Sequence, residues 1–291
     1  MVITLSELYQ RTRRALLTQE DPDSAGFLAR ELVCRATGKT KEQILAQMQN
    51  YVSDDVCADV SGMTERILAG EPLAYILGEW DFYGMRLFVN SHVLIPRDDT
   101  CAVTELAINR ARLFGEKPRI LDLCTGSGCI GLAIATHIKD ARVVLADVSV
   151  DALQVAKRNI ASQGLSGRVS CVQANALEQP APFLGKFDMI VSNPPYVTAQ
   201  EMTELPVSVA DYEPHIALYG GEDGLEFYKS IAERYTAALK PDGYLCFEFG
   251  MDQGNAVCDL LEQNGFTILE RSRDYNDRER AVLARYDRKD A

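Results

Sequence analysis

Histidine, tryptophan and closely paired cysteine are all scarce in this sequence of 291 residues. It contains three histidines and one tryptophan, and its eight cysteines include no C-x-x-C pair. Histidine and closely spaced cysteine are the usual ligands of structural zinc, and cysteines without such spacing give no sign of a disulfide framework. We therefore expect buried free thiols and no metal site.

Positive charge is scarce as well. Lysine and arginine together number 30 against 42 aspartates and glutamates, which gives a net charge of −12 at pH 7. This balance opposes broad contact with the phosphates of nucleic acids, although a local basic face remains compatible with it. No apolar run reaches about 18 residues, and the first residues lack the apolar core of a signal peptide. We expect a cytoplasmic protein that binds neither membrane nor nucleic acid directly.

What the first 75 residues do contain is helical periodicity. Apolar residues recur every three or four positions at Leu5, Leu8 and Leu16, and again farther along the chain. Thr40 followed by Gln43 has the spacing of a capping box, which predicts that a helix begins there. Residues 1–75 are therefore predicted to form a small helical bundle, which carries no catalytic constellation and is suited to recognising a partner.

The pattern changes from helix to strand between residues 76 and 97. Met85, Leu87 and Val89 alternate with their neighbours, and Gly84 separates two extended runs, which predicts a β-hairpin that links two domains. From residue 98 to 291 strands and helices alternate, as in an α/β fold with a mainly parallel sheet covered on both faces. Seven strands are expected near residues 119–123, 142–146, 169–172, 187–192, 244–249, 266–269 and 281–285.

The fourth of these strands ends abruptly in Asn193, Pro194, Pro195 and Tyr196. Two prolines fix the backbone, so these four residues form a stiff corner at the edge where open α/β sheets bind ligands. The Asn193 side-chain oxygen and the Pro194 carbonyl can accept both hydrogens of a planar NH2 group, while the Tyr196 ring stacks on its plane. A plain turn at the end of a strand is the less favoured interpretation.

The first strand of the sheet leads into a glycine-rich loop. Gly126 and Gly128 let the backbone approach a ligand closely, and the helix that follows offers free N–H groups. Asp147 ends the second strand, where it can accept hydrogen bonds from a ribose diol. A nucleotide-like cofactor is therefore expected to bind here.

The glycine pattern alone leaves two classes of cofactor open. With Gly131 the loop matches the G-x-G-x-x-G fingerprint of dinucleotide-binding enzymes as well as a methyl-donor site. Asp122 lies within the turn, where its carboxylate would repel a pyrophosphate but attract the ammonium group of a methionine moiety. Hydride transfer also has no use for the amide-holding corner at Asn193, so a methyl donor is favoured.

Several motifs of this chain resemble those of a known family. Three of these motifs are similar to motifs of the class I S-adenosylmethionine-dependent methyltransferases that modify planar NH2 groups. They are Asp-Leu-Cys-Thr-Gly-Ser-Gly at 122–128, Asp147, and Asn-Pro-Pro-Tyr at 193–196. The segments 72–79, 93–97, 213–224 and 248–253 narrow the resemblance to the HemK/PrmC family, the peptide chain release factor N5-glutamine methyltransferases. The resemblance covers nearly the whole chain. It implies a small N-terminal helical-bundle domain, then a β-hairpin linker, and then a Rossmann-like seven-stranded class I methyltransferase sheet.

The resemblance also implies a function and a set of site residues. The expected reaction is methyl transfer from S-adenosylmethionine to the glutamine of the Gly-Gly-Gln motif in release factors, with the helical domain helping to bind that protein substrate. The implied catalytic residues are Asn193, Pro194 and Tyr196, and Pro195 joins them in substrate binding. The implied cofactor-binding residues are Asp122, Cys124, Thr125, Gly126, Ser127, Gly128, Asp147, Asn175 and Asn193.

Two departures from the usual family pattern affect these expectations. The family often has a carboxylate where this chain has Cys101, to which no role is assigned, and an aromatic residue where it has Ala176. Asn175 can still bond an adenine edge, but stacking from position 176 is lost. The connection 197–223 is expected to form a flap over the site, with His215 as a structural residue.

Three alternatives remain open from the sequence. A relative could methylate a glutamine of a ribosomal protein, or the exocyclic amino group of adenine (N6) or guanine (N2) in nucleic acid, since such enzymes share Asn-Pro-Pro-Tyr. A protein that binds S-adenosylmethionine without catalysis is the third. The net charge of −12 counts against a nucleic-acid substrate.

Overall fold

The computed structural model describes residues 3–287, and the chain divides into two compact units. The first unit consists of the residues up to Gly78 together with Val207–Tyr212, and the second consists of Glu79–Pro206 and the residues from Glu213 onward. The predicted boundaries were 1–75, 76–97 and 98–291; in this division the hairpin belongs to the second unit. None of the helices in residues 3–287 combines the length and the apolar character that crossing a membrane requires.

The first unit is helical, as its periodicity predicts. Its elements are β1 (Ile3–Thr4), α1 (Leu5–Leu16), α2 (Pro22–Thr37), α3 (Lys41–Ala46), β2 (Tyr51–Val52), α4 (Asp54–Leu68), α5 (Leu73–Leu77) and, by its number in the chain, α10 (Val207–Ala210). Side chains cap four of its helices, at Thr4, Asp21, Thr40 and Ser53. At Thr40 both hydrogen bonds of the predicted capping box with Gln43 are present.

The second unit begins with the predicted hairpin. Its strands β3 (Glu79–Phe82) and β4 (Met85–Phe88) pair antiparallel, and the two residues between them, Tyr83 and Gly84, both have positive φ. Two such residues in succession match the right-handed twist of the flanking strands.

The rest of the second unit alternates helices and strands. The elements are α6 (Thr100–Ala111), β5 (Arg119–Leu123), α7 (Cys129–His137), β6 (Arg142–Asp147), α8 (Val150–Ser162), β7 (Val169–Gln173), β8 (Phe187–Ser192), α9 (Ala199–Met202), α11 (Glu226–Arg234), β9 (Leu239–Glu248), α12 (Gly254–Gln263), β10 (Phe266–Arg273) and β11 (Glu279–Tyr286). All seven predicted strands are present. β9 starts earlier than predicted, at Leu239 instead of residue 244, where its pairing with β8 is irregular.

These strands form one sheet in the order β10-β11-β9-β8-β5-β6-β7. The five strands from β9 to β7 in this order are parallel, and β11 pairs antiparallel with both β9 and β10. One apolar core packs α6, α7 and α8 on one face of the sheet, and a second packs α11 and α12 on the other. The chain leaves β5 toward β6 and later returns to β8 on the opposite side of β5, so the sheet has its topological switch point between β5 and β8.

All eight cysteines lie within the described residues and carry free thiols. Three are buried, at Cys129, Cys246 and Cys258, and the other five are partly buried, so the expectation of buried thiols holds in full only for those three. Within residues 3–287, no three histidine, cysteine, aspartate or glutamate side chains come together in a way that would hold a metal ion.

Candidate active site

A cavity of about 270 Å³ opens at the carboxyl ends of the parallel strands, as the position of the switch point predicts. Its wall is built from the segments that follow four neighbouring strands: 124–127 after β5, 147–149 after β6, 174–177 after β7, and Asn193 with Pro195 after β8. Further parts of the wall come from residues between 92 and 97, from Pro214, Ile216 and Ala217, and from Thr100, Cys129, Ile130, Ala152 and Phe227. The cavity therefore joins the glycine-rich loop, Asp147 and the proline corner in one site.

The glycine-rich loop turns sharply because three of its residues adopt positive φ. Cys124 has φ 60°, Gly126 has φ 53° and Gly128 has φ 86°. A Cβ at Gly126 would meet nothing within 4 Å, so this backbone is open to a ligand, whereas a Cβ at Gly128 would come within 2.9 Å of Leu145. The sequence predicts close approach of a ligand at both glycines, which the open space at Gly126 would allow, whereas Gly128 packs against Leu145. The strained conformation of Cys124 has no signal in the sequence.

The side chain of Asp122 holds this loop through hydrogen bonds. Its Oδ2 accepts hydrogen bonds from the hydroxyl of Thr125 at 2.6 Å and from the backbone N–H of Gly131 at 2.9 Å. The side chain is fully buried, and this burial raises the pKa of the carboxyl to about 7. Its second oxygen, Oδ1, is buried without a hydrogen-bond partner among the described residues. Asp122 is not part of the cavity wall.

Asp147 does line the cavity, at the carboxyl end of β6. Its Oδ2 accepts the backbone N–H of Gly126 and its Oδ1 accepts that of Ser149, both at 2.9 Å. Each carboxylate oxygen has more than one lone pair, so both retain capacity for a hydroxyl donor. Burial raises the pKa of Asp147, and the two backbone N–H donors oppose that rise. The arrangement suits a pair of vicinal hydroxyls.

The proline corner contributes Asn193 and Pro195 to the cavity wall, whereas Pro194 and Tyr196 are not part of it. The Asn193 Nδ2 donates to the hydroxyl of Thr100 at 3.4 Å. The ring of Tyr196 packs against the core beneath α11 and α12, and burial raises the pKa of its hydroxyl. Stacking of this ring on a substrate thus remains a prediction.

Gln253 ties the corner to the loop after β9. Its Nε2 donates to the carbonyl of Tyr196 at 3.0 Å, and its Oε1 accepts the N–H of Gly250 at 2.9 Å. Both bonds satisfy backbone groups that leave the sheet at strand ends and have no ladder partner. The corner is therefore anchored on its carboxyl side by a residue far along the chain.

The connection after the corner also reaches the cavity, because Pro214, Ile216 and Ala217 form part of its wall. Glu213 fixes this stretch: its buried carboxylate accepts the backbone N–H of Ile95 at 3.1 Å and pairs with Arg97. His215 lines a neighbouring surface groove instead of the cavity. The position of these residues agrees with a flap, although Glu213 was singled out in the sequence only through the family resemblance.

At the end of β7, Asn175 and Ala176 also line the cavity. The Asn175 side chain closes a local turn, since its Oδ1 accepts the N–H of Leu177 at 3.0 Å and its Nδ2 donates to Glu178 at 3.1 Å. Ala176 brings no aromatic ring, as the sequence shows. Phe227 of α11 does reach the cavity wall, and no local motif pointed to it.

Sequence reasoning missed the charged cluster behind Asn193. Arg280 pairs with Asp99 and with Asp274, each at 2.9 Å, and the carboxyl of Glu248 lies close to this group. Glu248 was noted only for its family resemblance. Cys101, for which no role was predicted, lies outside the cavity wall, and burial raises the pKa of its thiol to about 11.

Comparison with known proteins agrees with this architecture. Residues 7–78 match the PrmC N-terminal domain family, and residues 103–209 match the methyltransferase small domain family. A methyltransferase from Pyrococcus furiosus has the same fold, with a TM-score of 0.51 at 17% identity over 78% of this chain and 100% of that chain. The fold is that of the class I methyltransferases.

Close relatives narrow the family further. A release factor glutamine methyltransferase of Clostridium acetobutylicum is 42% identical over 73% of this chain and 74% of that protein. Another from Chlorobaculum tepidum is 43% identical over 74% of each chain. A bifunctional methyltransferase of Rickettsia felis is 33% identical, and this chain spans about half of its length, 54%. The chain belongs to the release factor glutamine methyltransferase family.

Proposed function

We propose that the protein transfers a methyl group from S-adenosylmethionine to the side-chain amide nitrogen, N5, of the glutamine in the Gly-Gly-Gln motif of peptide chain release factors. The observation that carries the proposal is that Asn193 opens into the same cavity as the glycine-rich loop and Asp147. A holder for a planar amide and a holder for a nucleoside thus share one enclosed space. Translation termination takes place in the cytoplasm, where we place the activity.

The residues of the cavity fit such a cofactor. The carboxylate of Asp147 can accept the ribose hydroxyls, and the open backbone at Gly126 admits a ligand without collision. Cys124, Thr125 and Ser127 supply the adjoining wall. Asp122 would act through the loop that it holds, since it bonds Thr125 and Gly131. Asn175 and Phe227 lie where the base would bind.

Amide chemistry explains why a holder is needed. The nitrogen lone pair of a glutamine side chain is delocalised into its carbonyl, so the nitrogen is a poor nucleophile. S-adenosylmethionine, when bound, supplies an electrophilic methyl group. The Asn193 Oδ1 and the Pro194 carbonyl would accept both hydrogens of the amide, which fixes the nitrogen in line for attack and favours the positive charge that develops on it. Orientation of this kind contributes about 7 kcal/mol or more.

The methylated glutamine nitrogen must also lose a proton, and the same arrangement allows this. Once methylated, the nitrogen carries positive charge and becomes strongly acidic, so its proton can pass to water without a dedicated base. The chain's own contribution is to hold the two hydrogens and to exclude competing donors from the Asn193 oxygen. Flanking glycines on the partner suit the site, because a loop without Cβ atoms can enter a narrow cavity.

The first unit is proposed to bind the protein substrate. It exposes several large apolar side chains to solvent, at Leu17, Phe27, Leu45 and Tyr51. Exposed apolar side chains of this size suit contact with another protein. The net charge of −12 points away from nucleic acid.

Mass spectrometry tests the proposal directly. A purified bacterial release factor is incubated with the protein and S-adenosylmethionine, and its peptides are then analysed. We expect a gain of one methyl group on the glutamine of the Gly-Gly-Gln motif and none on a release factor in which that glutamine is replaced. Transfer to ribosomal protein or nucleic acid instead would overturn the assigned substrate, and transfer to nothing would overturn the assigned activity.

A further inference from the structure

Glu248 ends β9 directly beside the proline corner. Ser192 pairs with Phe247 in the parallel ladder between β8 and β9, so Asn193 and Glu248 occupy equivalent positions where the two strands end. Glu248 is only 1% exposed. A carboxylate with so little access to water is costly to keep charged, so its presence at this position requires an explanation.

The surroundings of the carboxyl compensate its charge only in part. Burial raises the pKa of Glu248 to about 7, against opposing contributions from the hydroxyl of Thr100, the charge of Arg280 and the amide of Asn193. Arg280 is shared with Asp99 and Asp274, which limits its effect. One oxygen, Oε2, has no hydrogen-bond partner among residues 3–287. The other titratable groups around it are Tyr196, Tyr228, Cys101 and Cys129.

The orientation of the Asn193 amide decides whether the corner works. Its oxygen must face the substrate NH2 group, because an Asn193 NH2 in that place would meet another donor. Thr100 alone cannot fix this orientation, since a hydroxyl both donates and accepts. An ionised carboxylate only accepts, and both the Thr100 hydroxyl and the Asn193 amide lie close enough to Glu248 to oppose the rise of its pKa. The Asn193 Nδ2 also donates to the Thr100 hydroxyl at 3.4 Å, so the NH2 end of the amide faces this group.

We propose that the ionised Glu248 carboxylate is the positioning group that holds the Asn193 side chain with Oδ1 toward the cavity and strengthens that oxygen as an acceptor. The inference rests on the proposed function for its catalytic meaning. Negative charge behind a chain of hydrogen bonds polarises each bond in it, so the Asn193 oxygen accepts more strongly as the substrate nitrogen becomes positive. Protonation turns Glu248 into a donor and removes both effects.

Nuclear magnetic resonance tests the positioning without any methyl transfer. In protein labelled with ¹⁵N at asparagine, the Nδ2 resonances of Asn193 are those missing from Asn193→Ala. We expect them to shift with pH about a midpoint near 7 in the wild-type protein and to stay constant in Glu248→Gln. Resonances that do not titrate in the wild type, or that still titrate in Glu248→Gln, would overturn the proposal.

Steady-state kinetics tests the consequence of Glu248 ionisation for methyl transfer. Between about pH 6 and about pH 8 the wild-type kcat/KM should rise about tenfold as Glu248 ionises, whereas Glu248→Gln should lack this rise and match the wild type only at the acid end. Any dependence on pH that Asp122 causes would be common to both proteins. The cofactor dissociation constant should stay within about threefold, because Glu248 is not part of the cavity wall. A shared pH profile for both proteins contradicts the inference.

A matched control comes from the other end of β8. Asp188→Asn also removes a carboxylate from this strand, where it pairs with Lys240 at 2.8 Å far from the corner. It should keep the wild-type pH profile. If the wild-type protein methylates no release factor, the proposed function fails, while the resonance titration still decides whether Glu248 positions Asn193.

Discussion

The glycine-rich loop after β5 and the proline corner after β8 lie at adjacent strand ends, yet they are held in place in opposite ways. The loop is held mainly by residues near it in sequence: Asp122 bonds Thr125 three residues away and Gly131 nine residues away, and its farther partners, Asp147 and Asn159, lie 21 and 32 residues away. The corner is held by distant residues, since Thr100 is 93 positions from Asn193 and Gln253 is 57 positions from Tyr196. The loop therefore depends on local sequence, and the corner depends on the completed fold.

The two regions nevertheless share one feature: each contains a fully buried carboxyl group whose pKa rises to about 7 because the group is desolvated. Asp122 lies beneath the loop and Glu248 beside the corner. Both retain an oxygen without a hydrogen-bond partner in the part of the chain that the structure describes. Each carboxylate therefore costs stability at neutral pH, which is typical of groups kept for function.

The sharpest way to separate the two regions is Asn193→Ala. It removes the acceptor for the substrate amide and leaves Asp147 and the glycine-rich loop intact, so turnover should fall by about a thousandfold. The cofactor dissociation constant should change less than about tenfold. Methyl transfer to a release factor and calorimetric titration of the cofactor measure the two effects. Wild-type turnover in this variant would contradict the mechanism.

Glu248→Gln should stabilise the fold at the same time as it impairs the corner. A folded-state pKa raised from 4.5 to about 7 means that the folded protein binds more protons in that interval, so stability falls as pH rises through it. The penalty is complete above about pH 7 and corresponds to about 3 kcal/mol. Relative to the wild type, the variant should therefore gain about 3 kcal/mol between about pH 4 and about pH 8.

Denaturant unfolding at the two pH values measures this change. Asp188→Asn is the control, since Asp188 accepts the backbone N–H of Arg119 and pairs with Lys240, so its loss should destabilise the protein. If Glu248→Gln destabilises the protein equally at both pH values, Glu248 is a structural residue whose charge is fully compensated, and the likeness between Asp122 and Glu248 disappears.

The same contrast explains what the sequence could predict. Gly126, Gly128 and Asp147 predict a cofactor loop from the sequence alone, because their geometry follows from local chain conformation and from spacing along the chain. All seven strands and the hairpin follow from periodicity for the same reason. Glu248 and Thr100 gain meaning only when β9 and α6 are placed beside β8, and no local pattern encodes that neighbourhood. Asp122 was expected near the cofactor, but its complete burial depends on how α7 packs.

Asp147→Ala probes the cofactor side with a smaller effect. The variant loses an acceptor for the ribose hydroxyls and also frees the N–H groups of Gly126 and Ser149, so the cofactor should bind more weakly by about 1 to 3 kcal/mol. Turnover at saturating cofactor should change little, which is the reverse of Asn193→Ala. Calorimetric titration gives the affinity. Unchanged affinity would place the ribose elsewhere in the cavity.

Asn175→Ala should have the smallest effect and tests whether the local rule extends to the base. Each polar atom of the Asn175 side chain already makes one bond within the turn, to Leu177 or Glu178, so a ligand could use only the second lone pair of Oδ1 and the second hydrogen of Nδ2. We expect the cofactor affinity to weaken by less than about 1 kcal/mol, with Phe227→Ala as the comparison variant. Because Phe227 offers the ring that position 176 lacks, its loss should cost more than that of Asn175. A larger loss at Asn175 would mean that its side chain leaves the turn to bond the base, and the cofactor side would then depend on rearrangement as well as on local sequence.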